Sequence, residues 1–126
     1  MEIILRDNGI SEWLELADGV KLKIDYPNYE QDLILGALFV AVQQNEDEKQ
    51  SELSHKYYSN LIKFCVKDWE GITNAATGEE IKCELKGNEL SPDLMKILVS
   101  MPFVVFYWGN MIFEQISLKE VDKKKL

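Results

Sequence analysis

The chain has 126 residues, enough for one domain with its own core, and a composition of 46% apolar and 29% charged residues excludes a disordered chain. A net charge of −8 and a pI near 4.7 argue against nucleic acid or an anionic membrane as partner, because both require a basic footprint. The acidity is uneven: residues 1–60 hold five basic and twelve acidic side chains, whereas residues 61–126 hold nine and ten. An acidic first half either suits a basic partner or serves solubility alone.

Residues 1–26 read as β structure. Ile3-Ile4-Leu5 is a candidate first strand. Glu12-Trp13-Leu14-Glu15-Leu16 and Val20-Lys21-Leu22-Lys23-Ile24 alternate around Asp18-Gly19, a turn pair that tolerates positive φ. The expected hairpin spans about 12–25, with Trp13 and the leucines on a half-buried face and Lys21 and Lys23 facing Glu12 and Glu15. Tyr26-Pro27 breaks the strand, and Asn28 is placed to cap a helix over about 29–44, with Glu30 and Asp32 in its first turn. Leu33 to Val42 is apolar nearly all round, the mark of a helix covered on several sides or met by a partner, and Gly36 permits another backbone to approach.

After an acidic connector, Gln43 to Gln50, Ser51 is the expected cap of a helix over about 52–69. Leu53, Tyr57, Leu61, Phe64 and Trp69 would form its buried stripe, and Gly71 its C-terminal stop. A short hairpin is expected near 71–85, turning at Ala76-Thr77-Gly78, with Gly87 and Asn88 breaking its second strand. Ser91-Pro92-Asp93 starts a helix to about residue 100, since Ser caps, Pro suits the first helical position and Asp complements the positive helix end. Pro102 restarts the chain into a last helix over about 103–117, followed by a frayed charged tail, 118–126. The sum is a single α+β domain: mainly β over 1–26, mainly helical over 27–117.

Catalytic chemistry has little to stand on. There is no Gly-rich phosphate loop and no Gly-x-Ser-x-Gly elbow. His55 is the only histidine and reads as a surface or capping group. Asp68 and Glu70, two apart, would point different ways on a helix. Cys65 and Cys83 are separated by a spacing that fits no metal site, and one histidine cannot complete a tetrahedron with them. With no secretory signal before them, the expectation is free thiols in the cytoplasm, no cofactor, no metal and no enzymatic activity.

From Ile97 to Phe113 no charge occurs, but Ser100, Pro102, Gly109 and Asn110 interrupt a stretch already short for a membrane span. The last helix has an apolar surplus. Phe103, Phe106, Tyr107 and Asn110 make one stripe, yet Val104, Trp108, Met111 and Ile112 remain on the other face. Either the fold wraps this helix, or aromatic and Met side chains meet a partner, as interface cores favour them.

Phe64-Cys65-Val66-Lys67-Asp68-Trp69-Glu70-Gly71-Ile72, then Thr77-Gly78-Glu79-Glu80-Ile81, then Leu90-Ser91-Pro92-Asp93-Leu94-Met95 before a final helix, resembles the tail assembly chaperones of long-tailed bacteriophages and prophages over roughly residues 20–117. A strand exit such as Tyr26-Pro27 before a long helical part is shared. The last helix is more aromatic than that pattern, and the turn lacks its Asp-rich form. The resemblance implies a non-enzymatic protein of the bacterial host cytoplasm. It would bind the tape measure protein, keep it soluble and help bring in the tail tube protein, without a role for nucleic acid or membrane; a second copy of the chain is the other candidate partner. In that family a longer product often arises by frameshifting near the end of the short one; adjacent lysines at Lys123–Lys125 fit either a slippery coding stretch or simply a frayed basic tail. The client-binding residues expected are Tyr107, Trp108, Met111 and Ile112, with Leu35 and Phe39 beside them; Trp69 is expected as a core anchor. The rival reading is a permanent structural phage protein, such as a head–tail joining or tail-completion protein.

Overall fold

A computed structural model describes residues 12–125; the candidate strand at Ile3-Ile4-Leu5 lies outside them. The order of elements is β1 (Glu12–Glu15), a 3-10 turn (Ala17–Gly19), β2 (Lys21–Ile24), α1 (Tyr29–Gln44), α2 (Asp47–Cys65), β3 (Val66–Glu70), β4 (Leu85–Lys86), β5 (Glu89–Leu90), α3 (Pro92–Val99) and α4 (Pro102–Lys125). The fold is α+β, with an antiparallel sheet β1-β2-β3 and a separate β4-β5 hairpin.

The N-terminal hairpin forms where expected, but its register and parity correct two details. Glu15 pairs with Lys21 and makes a 3.6 Å ion pair, whereas Lys23 sits opposite Trp13 and Glu12 opposite Ile24. Strand side chains alternate faces. Leu14 and Leu16 therefore point toward the core, and Trp13 shares the exposed face with Glu15.

Asn28 caps α1 in a reciprocal box: its side chain accepts from the Gln31 N–H at 2.9 Å, and Gln31 Oε1 accepts from the Asn28 N–H at 2.9 Å. The other end of the buried Gln31 amide donates to Glu89 Oε2 at 2.9 Å, and Glu89 Oε1 lies 3.6 Å from Lys63 Nζ. One side chain thus fastens the start of α1 to β5 and α2.

The second helix occupies 47–65 rather than 52–69. Asp47 and Glu48 lie in its first turn, where acids complement the helix dipole, so the connector is absorbed and Ser51 is an internal residue. The helix stops at Cys65 because Val66–Glu70 is taken up as the third strand. Trp69 is accordingly a strand residue, although buried as the core anchor expected. Gly71 is not a helix stop. It sits at φ +85° against the hairpin turn, where a Cβ would run into the Gly19 carbonyl. The expected 71–85 hairpin reduces to one bridge, Thr73 with Glu80, and regular pairing moves to β4-β5, where Gly87-Asn88 forms the turn. At the chain's end α4 continues to Lys125, replacing the frayed tail expected from 118; no Gly or Pro interrupts residues 118–125.

α2 is the central element, packed by α1 on one side and α4 on the other. Ile62, Phe64 and Cys65 from α2, Leu22, Ile24 and Val66 from the sheet, and Val105 and Ile112 from α4 form one continuous core. The α2–α4 crossing is close at Gly109, where a Cβ would lie 2.5 Å from Cβ of Tyr58.

Candidate binding cleft

Three segments distant in sequence enclose an apolar cleft of about 630 Å³. The hairpin turn contributes Leu16 and Val20, β3 and the chain after it contribute Trp69, Ile72 and Ile81, and the stretch through α3 and α4 contributes Leu94 to Trp108. Trp69, Leu98 and Trp108 are its buried floor; Ile97, Met101 and Phe103 are its exposed rim. No charged side chain lines it. Phe103 is 82% exposed, with Tyr107 stacked on it at 6.5 Å.

Hydrogen bonds hold the walls apart and in place. Trp69 Nε1 donates to the Ile81 carbonyl at 2.7 Å, tying the loop after β3 to the sheet. The Ala17 N–H donates to the Tyr107 hydroxyl at 3.1 Å, tying the hairpin turn to α4. The Trp69 and Trp108 rings meet edge to face at 5.9 Å, a favoured aromatic geometry. Around this apolar interior the wall segments expose Glu70, Glu79 and Glu80 against Lys96.

A second, smaller cleft of about 300 Å³ runs between α1 and α4 over α2, lined by Leu35, Phe39, Tyr57, Leu61 and Phe113 among others. Asp32 is the charged residue in its lining. Burial pushes the Tyr57 phenol up to about 12, helped by negative charge at Tyr58, Cys65 and Asp32.

The six expected binding residues separate by burial. Tyr107, half-buried, and Phe39, exposed, reach a cleft surface. Trp108, 7% exposed, forms the floor of the larger cleft, and Leu35 plays that part in the smaller one. Ile112 is fully buried in the core, and Met111 is half-buried and lines neither cleft. Ile112, Trp108 and Leu35 are thus core side chains: α2 packs against both α4 and α1, and Trp108 meets Trp69 of β3 edge to face. The exposed rim, Phe103, Ile97 and Met101, was outside the expected set. Phe103 stood in the aromatic stripe of the sequence, but nothing local could show that residues 72–81 return to face it.

Other polar groups beside the core have structural roles. Burial pushes the Lys67 ammonium down, against opposing pulls from Cys65, Asp25 and Glu89, and it donates to the Phe64 and Asn88 carbonyls at 2.8 and 2.6 Å. Burial, with Asp68 nearby, raises the Cys83 thiol to about 11. The His55 ring packs against Phe106 at 5.9 Å instead of facing solvent, and its buried Nε2 has no hydrogen-bond partner among the described residues. Among the described residues no group of His, Cys, Asp or Glu is arranged to hold a metal, and no single helix is long and apolar enough to cross a membrane. Compared with models of known protein families, with curated proteins and with solved structures, the chain returns no match.

Proposed function

We propose that this chain is a non-enzymatic binding protein that holds an apolar helical segment of a client in the larger cleft. In this reading it acts as a phage or prophage tail assembly chaperone in the bacterial host cytoplasm. Its client is the tape measure protein, kept soluble until tail tube subunits polymerise around it. The observation that carries the proposal is the charge-free cleft with an exposed aromatic and Met rim. Such side chains are enriched where interfaces are fully desolvated, and a groove of this kind suits the apolar face of an amphipathic helix. Covering one exposed phenylalanine such as Phe103 contributes about 2 kcal/mol. The exposed glutamates on the walls favour a client helix with basic residues flanking its apolar stripe.

The test is co-expression with the long helical protein encoded next to this chain, followed by pull-down and a solubility assay. The client should become soluble only in the presence of this chain and co-purify with it. Phe103→Glu, an exposed position, should abolish both effects while leaving the fold intact. If client and chain ignore each other, and the chain instead assembles into a stable ring retained in finished particles, it is a permanent structural component.

A further inference from the structure

The smaller cleft has two chemically different ends. Asp32, Gly36 and Phe39 line it from α1 at helical spacings, so they share one face of that helix. With a rise of about 1.5 Å per residue, Asp32 and Phe39 lie roughly 10 Å apart along α1. At the Phe39 end three helices each bring one ring: Tyr57 of α2 is 6.0 Å from Phe39 and 6.4 Å from Phe113 of α4, centre to centre. Phe39 and Phe113 are partly open to solvent, and buried Leu35 and Leu61 make the floor. At the other end stands the half-buried Asp32 carboxylate, the one charged side chain in the lining among the described residues. Between the ends Gly36 leaves space, since a Cβ built there meets nothing within 4 Å.

We propose that this cleft binds a small amphiphilic cation, its primary ammonium on Asp32 and its aryl or alkyl body on the aromatic end. Size selects a small molecule: about 300 Å³ is at the low end for ligand pockets, and a client helix about 10 Å across does not fit. Charge selects the sign. The lining carries a carboxylate and the chain as a whole carries −8, so an anion is repelled both near and far. A half-buried carboxylate and an ammonium make a short charge-assisted hydrogen bond, stronger than either makes with a neutral partner. The aromatic end stays neutral, because burial holds the Tyr57 phenol up at about 12, and it takes the apolar body. Covering the open ring surfaces of Phe39 and Phe113 supplies the apolar share of the affinity. The site is separate from the larger cleft and stands independently of the client reading.

The probe is phenylbutylamine, titrated into the full chain and followed by proton–nitrogen correlation spectra. The expected result is saturable shifts of the Gly36 and Phe39 amide signals, with a Kd on the order of 1 mM for so small a ligand. Phenylbutanol, uncharged and of the same shape, should bind at least about fivefold more weakly. Asp32→Asn should erase that preference while leaving the Kd for the alcohol within about twofold. Gly36→Leu, which projects into open space, should abolish binding of both probes without changing the far-UV circular dichroism spectrum. Titrations that never saturate overturn the proposal, as do equal affinities for amine and alcohol, or a preference that survives Asp32→Asn. Shifts centred on the indole N–H signals of Trp69 and Trp108 overturn it too, because the ring would then sit in the larger cleft.

Discussion

The contact between α2 and α4 at Gly109 supports a sharp prediction about stability. An alanine there would place its methyl 2.5 Å from both Cβ and Cδ1 of Tyr58 and 2.7 Å from its Cγ. Favourable carbon–carbon contacts begin near 3.5 Å, so about 1 Å of separation must be found. The Tyr58 ring cannot supply it, because Cβ is fixed to the α2 backbone. Ring neighbours close the space besides, with Tyr57 at 5.4 Å and Phe106 at 5.8 Å. The helices must therefore move apart. Overpacking of this kind costs about 1–3 kcal/mol, and the lost dispersion contacts along the crossing add to it. Alanine's better helix propensity returns about 1 kcal/mol. The net expectation for Gly109→Ala is a loss of about 1–2 kcal/mol, or a midpoint lower by roughly 4–8 °C in a domain of this size. Gly36→Ala is the matched control: it is helical and exposed with nothing near its Cβ, so it should gain about 0.5–1 kcal/mol. Both are read by urea and thermal unfolding followed by far-UV circular dichroism. If Gly109→Ala is as stable as the parent while Gly36→Ala behaves as expected, the helices do not cross at Gly109.

Two further perturbations probe the core side of the cleft. Trp69→Phe keeps an aromatic ring but removes the Nε1 donor to the Ile81 carbonyl, so it should cost about 1–2 kcal/mol and speed limited proteolysis within residues 73–80. Tyr57, half-buried and raised from 10.0 to about 12, holds its proton more tightly folded than unfolded. Its stabilising share is complete below pH 10 and is lost as pH rises through about 12, so Tyr57→Phe should flatten the fall in urea midpoint over that window.

How the sequence misleads is clearest at Val66–Glu70. Val66 and Trp69 are both buried, and their three-residue spacing continues the helical stripe of Leu61 and Phe64. The structure obtains that spacing from a strand with an irregular register. Lys23 pairs with Asp68 and Ile24 with Val66, leaving Lys67 as an extra residue. A bulge shifts the parity of a strand by one, so inward positions three apart are compatible with β structure. Periodicity alone could not distinguish the two, and Trp69 was assigned to α2. By contrast, the starts of α1 and α3 were readable because their caps are local: Asn28 accepts from Gln31 and Ser91 from Leu94, three residues on. The N-terminal hairpin was readable for the same reason. The larger cleft was not, because its walls come from residues 16–20, 69–81 and 94–108 and meet only in the folded chain.

Two helices here are apolar nearly all round, yet the same composition has two outcomes. α4 meets α2 at Gly109, β3 through the Trp69–Trp108 contact, and α3, so Val105, Trp108 and Ile112 are core, while Phe103, Phe106 and Phe113 stay exposed along its other sides. Among the described residues α1 packs mainly on α2, so a similar composition leaves Leu33 and Val40 about half exposed. The number of neighbours, which is a property of topology, decides which reading of an apolar helix applies. The high negative charge is consistent with both apolar surfaces. Repulsion between chains at −8 acts over about a Debye length of 8 Å, whereas apolar attraction acts only at contact. Random encounters are therefore repelled before apolar faces meet, and association is left to surfaces that fit closely.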